Sequence, residues 1–188
     1  MPIHLVRPST RSLRSLLEDA RGQELTYSPI GISTASVPPP GYHHDRWSRR
    51  LAGDEGVFER AADALRNWQV QRGAGLVVES VGPPTVGVDV VMAARLPVGY
   101  IDVVCRVVDV VDEPDRSGFT YGTLEVHPEQ GEESFIVSRA EDGTVTFEVV
   151  ASSRPRHMLA RAAPPVARFL QAHAAGRYLS AMESAVAS

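Results

Sequence analysis

Residues 85–126 read TVGVDVVMAARLPVGYIDVVCRVVDVVDEPDRSGFTYGTLEV, and this run decides the fold class. Three stretches rich in β-branched and aromatic residues, Thr85–Leu96, Tyr100–Val111 and Phe119–Val126, are separated by Pro97–Gly99 and by Glu113–Gly118. Pro, Gly and Asp clusters between Val-rich runs mark strands joined by turns. Connections this short hold no crossover, so neighbouring strands must be antiparallel. Working outward, Leu76–Val81 precedes the run behind the break Gly82-Pro83-Pro84. Glu132–Arg139 and Thr144–Ser153 follow it as a hairpin around Glu141-Asp142-Gly143. The expectation is a meander of about six strands, with Thr26–Ser33 a further short strand candidate.

Helical periodicity flanks the meander. Ser9–Arg21 places Leu13, Leu16, Leu17 and Ala20 on one side behind a Ser9 or Thr10 cap. Asp54–Arg72 carries the stripe Val57, Phe58, Ala61, Leu65 and Trp68, with Asp54 as N-cap. From His157 the chain is helical again, with Val166, Phe169, Leu170, His173, Arg177 or Tyr178, and Met182 at spacings near three or four. Pro164-Pro165 demands a kink or a fresh helix start there. Ala35–Tyr42 holds three consecutive prolines and must be extended or turned. The order helix, helix, meander, long helix predicts an α+β layer architecture in one domain, residues 1–188. Residues 1–24 are a helical extension and 25–188 the core. A curved antiparallel sheet would wrap the C-terminal helix, and a pocket fits between the two.

Composition excludes several classes. All 19 basic residues are Arg against 23 acidic ones, giving a net charge of −4. That balance argues against a general nucleic-acid binder. Without Lys there is no Schiff-base or P-loop lysine. The single cysteine, Cys105, excludes an intramolecular disulfide, and its Val-rich surroundings read as a buried, inert thiol. No apolar run reaches membrane length, and Met1–Ser12 has no apolar segment of a signal peptide behind its charges. A cytoplasmic protein is expected, with no membrane partner. GxSxG, Walker A, GxGxxG after a strand and zinc spacings are all absent.

Three segments carry polar chemistry. Tyr42, His43, His44, Asp45 and Arg46 precede Trp47; adjacent histidines point different ways, so a docking segment or the wall of a ligand site is favoured over a metal, and no metal is expected. Tyr121, Thr123 and Glu125 alternate on one strand face and can line a polar pocket, with Leu124 and Val126 facing the core. His127 follows, and beside Glu129, Glu132 and Glu133 it can form a proton-transfer pair; a solvated loop is the plain alternative. Arg154 lies at the strand–helix junction and suits a carboxylate or phosphate, or else an internal ion pair with Glu132 or Asp45. Arg95 and Arg106 sit in otherwise buried strands and must be solvated, paired or anchoring a ligand.

Three runs together carry a family resemblance. They are Gly41-Tyr-His-His-Asp-Arg-Trp47 with Val57-Phe-Glu-Arg-Ala-Ala62; Tyr121-Gly-Thr-Leu124 with His127-Pro-Glu129 and Gly131-Glu-Glu133; and Ser153-Arg-Pro155 with Leu159-Ala-Arg161 and Arg177-Tyr-Leu179. From about Leu25 onward the chain resembles the bacterial and plant family known as domain of unknown function 1990. Its layout is similar to the helix-grip, START-like group, which includes lipid and sterol carriers, hormone receptors and polyketide aromatase/cyclases. The resemblance implies a small-molecule pocket and no fixed reaction.

The expected function is therefore binding of a small hydrophobic or polyketide-like molecule between sheet and C-terminal helix, with no cofactor. Candidate ligand contacts are Tyr42, His43, His44, Arg46, Arg95, Arg106, Tyr121, Thr123, His127 and Arg154. An alternative is a cyclase- or dehydratase-type enzyme in which His127 or His44 works with Glu125 or Glu132. A non-catalytic interaction protein, with oligomerisation possible, is the third.

Overall fold

The computed structural model describes residues 3–156 and 164–187, with side chains described for 4–156 and 171–187. The strands are β1 (Ile3–His4), β2 (His43–Leu51), β3 (Val77–Ser80), β4 (Asp89–Arg95), β5 (Tyr100–Glu113), β6 (Arg116–Thr123), β7 (Glu129–Arg139) and β8 (Val145–Pro155). The helices are α1 (Thr10–Ala20), α2 (Val57–Arg66), α3 (Gln69–Gly73) and α4 (Pro164–Val186). All pairings are antiparallel, in the order β2-β8-β7-β6-β5-β4-β3, with β1 pairing β5. This is the curved sheet and long C-terminal helix that the meander implies. A register shift between Val107 and Asp109 bends β5 in its middle.

The sheet has more than the six strands expected, chiefly because of β2. The whole of His43-His-Asp-Arg-Trp-Ser-Arg-Arg-Leu51 pairs with β8, from His43 opposite Ser153 to Leu51 opposite Val145. It is an edge strand, and charged edges discourage pairing with other chains. That charge hides the alternation by which strands are recognised. Thr26–Ser33 is not a strand. It forms turns, with Thr34 N–H donating to the Gly31 carbonyl. The helix read from Asp54 to Arg72 breaks in two at Trp68, whose φ of 56° is left-handed. The Trp68 indole N–H reaches the Gly82 carbonyl at 2.9 Å, and its ring meets Phe119 edge-on at 4.9 Å. Gly56 is the N-cap of α2, and Asp54 accepts its N–H at 3.0 Å. Helix α4 is described from Pro164 onward, and the helical stretch read from His157 lies outside the described residues.

Each face of the sheet is covered. On the concave face Phe119, Phe135, Phe147 and Val149 pack against Leu65, Trp68, Tyr178 and Met182 of the helices. Each fully buried Phe contributes roughly 1.5–3 kcal/mol. On the convex face Leu13, Leu17 and Ala20 of α1 lie over Val91, Ala93, Val104 and Leu124. Arg106 ties α1 down. It meets Asp89 through Nε at 2.6 Å and Nη2 at 3.1 Å, and donates to the Gln23 and Ala20 carbonyls at 2.7 and 3.3 Å. A cation at the carbonyl end of a helix also suits the helix dipole.

One core group is discordant. Gln71 of α3 is fully buried, and neither end of its amide has a partner among the described residues. An unpaired buried amide costs about 1–3 kcal/mol. Gln71→Met keeps the shape and removes the polar ends, so urea denaturation should show a gain of about 1–2 kcal/mol.

Candidate functional site

Strand alternation divides the polar residues between two faces. On β7, Glu133, Phe135 and Val137 face the helices, whereas Glu132 and Ser134 face the other way. The neighbouring carboxylates Glu132 and Glu133 therefore serve opposite sides of the sheet.

The convex side holds a closed network. Glu132 is 2% exposed. Its Oε1 accepts from Tyr27 OH at 2.8 Å and from Gly31 N–H at 2.7 Å. Its Oε2 accepts from Ser33 N–H and Ser33 Oγ, both at 3.0 Å. The Ser33, Ser134 and Thr120 hydroxyls continue the chain at 2.7 Å spacings. Ser152 Oγ donates to the Ile32 carbonyl at 2.9 Å, so His44 Nδ1, 2.6 Å from that hydroxyl, must be the donor to it. Gly122 makes room for this strap, since a Cβ there would lie 2.2 Å from Tyr27 Oη. Burial and the Glu132 carboxylate push the Tyr27 phenol well up. Thr123 Oγ1 pairs with Thr26 Oγ1 at 2.6 Å and accepts from Gly131 N–H at 3.0 Å.

The structure thus places Glu132, His44 and Thr123 in bonds that hold residues 26–33 to the sheet. Arg106 is engaged by Asp89 and α1, and Arg46 pairs with Glu148 at 3.0 Å. Arg95 is exposed, and exposed Glu125 lies 4.0 Å from Arg156. His43 is exposed at the start of β2. Arg154 pairs with neither Glu132 nor Asp45; its guanidinium stacks 4.7 Å from the Tyr42 ring centroid and donates to Gln130 at 3.0 Å. His127 is half-buried in the β6–β7 turn. The Glu129 N–H donates to its Nδ1 at 3.0 Å, and burial lowers its pKa to about 4. His127 is therefore neutral near pH 7.

Tyr121, among the sequence candidates, is brought to the inner face beside an acid. Its hydroxyl donates to Glu133 Oε2 at 2.6 Å. Tyr178 of α4 meets Phe135 edge-on at 5.0 Å and brings its phenol near that of Tyr121, so two phenols and a carboxyl stand together. Burial pushes the Glu133 carboxyl up to about 7, against the lowering pull of the Tyr121 bond. Desolvation and the Glu133 charge push both phenols well above their ordinary range. At the rim, Ser153 Oγ donates to Glu129 Oε2 at 2.6 Å and accepts from Gln171 of α4 at 3.2 Å. Glu129 is raised by burial, eased by the Ser153 bond and by His43. The apolar wall is partly open: Val78, Val103 and Ala174 pack against the concave core yet are only half-buried.

Chemically, this row can receive a donor from a small molecule or exchange a proton with it near pH 7. Among the described residues no three His, Cys, Asp or Glu side chains converge as a metal site. Tyr178, Ser153 and Gln171 were not sequence candidates, and Glu133 was considered only as a neighbour of His127. The signal for Glu133 was its parity with Phe135 and Val137.

Comparison with known proteins agrees with this architecture. A hypothetical protein from Helicobacter pylori shares the fold with a TM-score of 0.61 at 10% identity, over 86% of this chain and 98% of that one. Human STARD10 does so with a TM-score of 0.52 at 11% identity, over 95% and 81%. The architecture is thus the helix-grip, START-like fold. A UPF0548 protein of Deinococcus radiodurans is 32% identical over 188 residues, 93% of this chain and 94% of its own. The model of the domain of unknown function DUF1990 matches residues 26–181, and the chain belongs to that family.

Proposed function

We propose that this protein binds a small, largely apolar molecule between the concave face and α4, at the end where Tyr121, Glu133 and Tyr178 stand. The observation that carries the reading is the phenol–carboxyl row on an otherwise apolar inner face. Holding a carboxyl in such surroundings is unfavourable, and a lone tyrosine bond offsets only part of that. Sites for small molecules combine apolar walls with a few convergent polar groups in this way. The helix-grip architecture supports the same reading, since its wider group includes lipid and sterol carriers.

Val103→Trp tests it by filling the half-buried inner wall. A neutral solvatochromic dye titrated into the wild type should bind saturably. The variant should bind it at least about tenfold more weakly with unchanged far-UV dichroism, and equal affinity would count against the site. Tyr121→Phe removes one hydrogen bond and should weaken a donor-bearing ligand by roughly three- to tenfold.

A second reading is favoured by one observation, the titration of Glu133 near neutrality. A carboxyl poised there suits general acid–base catalysis of a cyclase or dehydratase type. On that reading Glu133, rather than His127 or His44, moves the proton. Glu133→Gln would then abolish turnover while ligand binding persists.

A further inference from the structure

We propose that a second site, on the opposite side of the sheet from the grip, takes a small anion carrying a phosphate or carboxylate group. It is a hollow of about 480 Å³ lined by Gly41, Gln130, Arg154, Pro155 and Arg156. That volume falls in the range of small-molecule pockets. Gln130 and Arg154 are register partners at the end of the β7–β8 ladder. Both have the parity of Glu132 and Ser152, which places them on the convex face.

Arg154 is held ready. Its guanidinium stacks 4.7 Å from the centroid of the Tyr42 ring, which fixes its plane. Its Nε donates to Gln130 Oε1 at 3.0 Å, and the Gln130 amide in turn donates to the Thr26 carbonyl. Tyr42 takes a face of the guanidinium and Gln130 its Nε edge. The two Nη groups make no hydrogen bond or ion pair among the described residues. A planar fork with both terminal nitrogens available matches two oxygens of a phosphate or carboxylate. Holding it in advance removes part of the ordering cost of binding.

Arg156 supplies the second charge. Its backbone N–H is bound to the Pro128 carbonyl, and its Nη1 donates to the Glu125 carbonyl. The Glu125 carboxylate is 4.0 Å from Nη2, at the outer limit of an ion pair, and is itself exposed. Two guanidinium groups therefore meet one distant carboxylate. The hollow is locally cationic in a chain whose net charge is −4. Gly41 closes the wall, with a φ of 83° that bends the Pro38-Pro39-Pro40 segment back toward Tyr42.

Calorimetric titration with inorganic phosphate and with pyrophosphate, at ionic strength matched by sodium chloride, tests the site. Wild type should bind saturably, pyrophosphate more tightly. Arg154→Gln should weaken binding at least about tenfold, the loss of a bidentate charge-assisted pair. Arg154→Lys, which keeps the charge and loses the fork, should fall between. Arg95→Gln, an exposed arginine elsewhere, should leave binding unchanged and controls for net charge. Thermal melts in chloride check that each variant is folded. Vesicles of phosphatidylcholine with and without phosphatidic acid separate the sources. Arg154-dependent binding to phosphatidic acid without soluble phosphate binding identifies a lipid headgroup and supports the site. Failure of both ligands, or binding that Arg154→Gln leaves intact, overturns the proposal whatever the grip proves to hold.

Discussion

Glu132→Ala is expected to lower stability by roughly 3–5 kcal/mol, the largest single effect in the molecule apart from core truncations. Four donors converge on this carboxylate: the Tyr27 hydroxyl, the Gly31 and Ser33 amides and the Ser33 hydroxyl. Removing it strands them on a face sealed from water. Glutamine is no remedy. Each carboxylate oxygen accepts two donors, so either orientation of an amide turns its NH₂ against two others. Glu132→Gln should therefore lose about 2 kcal/mol or more, an unusual penalty for so small a change. Urea denaturation of both variants checks this. If Glu132→Gln proved neutral, the strap of residues 26–33 would not be held as described.

Glu133→Gln should have the second largest effect, and its sign depends on pH. In the folded protein Glu133 titrates near 7, above the ordinary 4.5. Between those values the native state keeps a proton that the unfolded state has released. Stability contributed by Glu133 is thus present at low pH and is lost as pH rises through that window. His127 works the other way, because its folded value of about 4 lies below the ordinary 6.5. The unfolded state binds more protons there, so its contribution is lost as pH falls from 6.5 toward 4. In the wild type the two slopes oppose each other between about 4.5 and 6.5. Glu133→Gln removes one and uncovers the other. The stability of the variant relative to wild type should grow by on the order of 2–3 kcal/mol between pH 4.5 and 8. A difference independent of pH would show that Glu133 is ionised and well solvated in the native protein.

What could be read from the chain follows from where alternation survives. Strands β4 to β8 are rich in Val, Phe and Thr between Gly-, Pro- and Asp-containing turns, and their order and antiparallel pairing were legible. Strand β2 was not, because an edge strand with six His, Asp and Arg residues in nine positions resembles a loop in composition. The break at Trp68 was hidden too. Its stripe continues smoothly from Leu65, and only the indole bond to Gly82 and the packing on Phe119 explain the left-handed turn.

The inner site was legible only in part. Alternation along Phe119 and Tyr121 pointed to the right face, but the acid partner was sought next to His127 in sequence instead of across the strand pair. Tyr121 lies opposite Glu133 in the register of β6 and β7, and no local pattern states that pairing. Two adjacent glutamates were indistinguishable in sequence, although one secures the outer strap and the other faces the grip. Tyr178 read as one position of a helix stripe, which it is; its phenol comes near Tyr121 only once α4 lies across the sheet.

The central claim is that the grip holds a small molecule, and native mass spectrometry of freshly purified protein tests it most directly. Wild type should carry an added small mass that denaturation releases into a solvent extract, and that Val103→Trp lacks. A bare wild-type mass, together with a neutral dye that binds Val103→Trp as tightly as wild type, would contradict it.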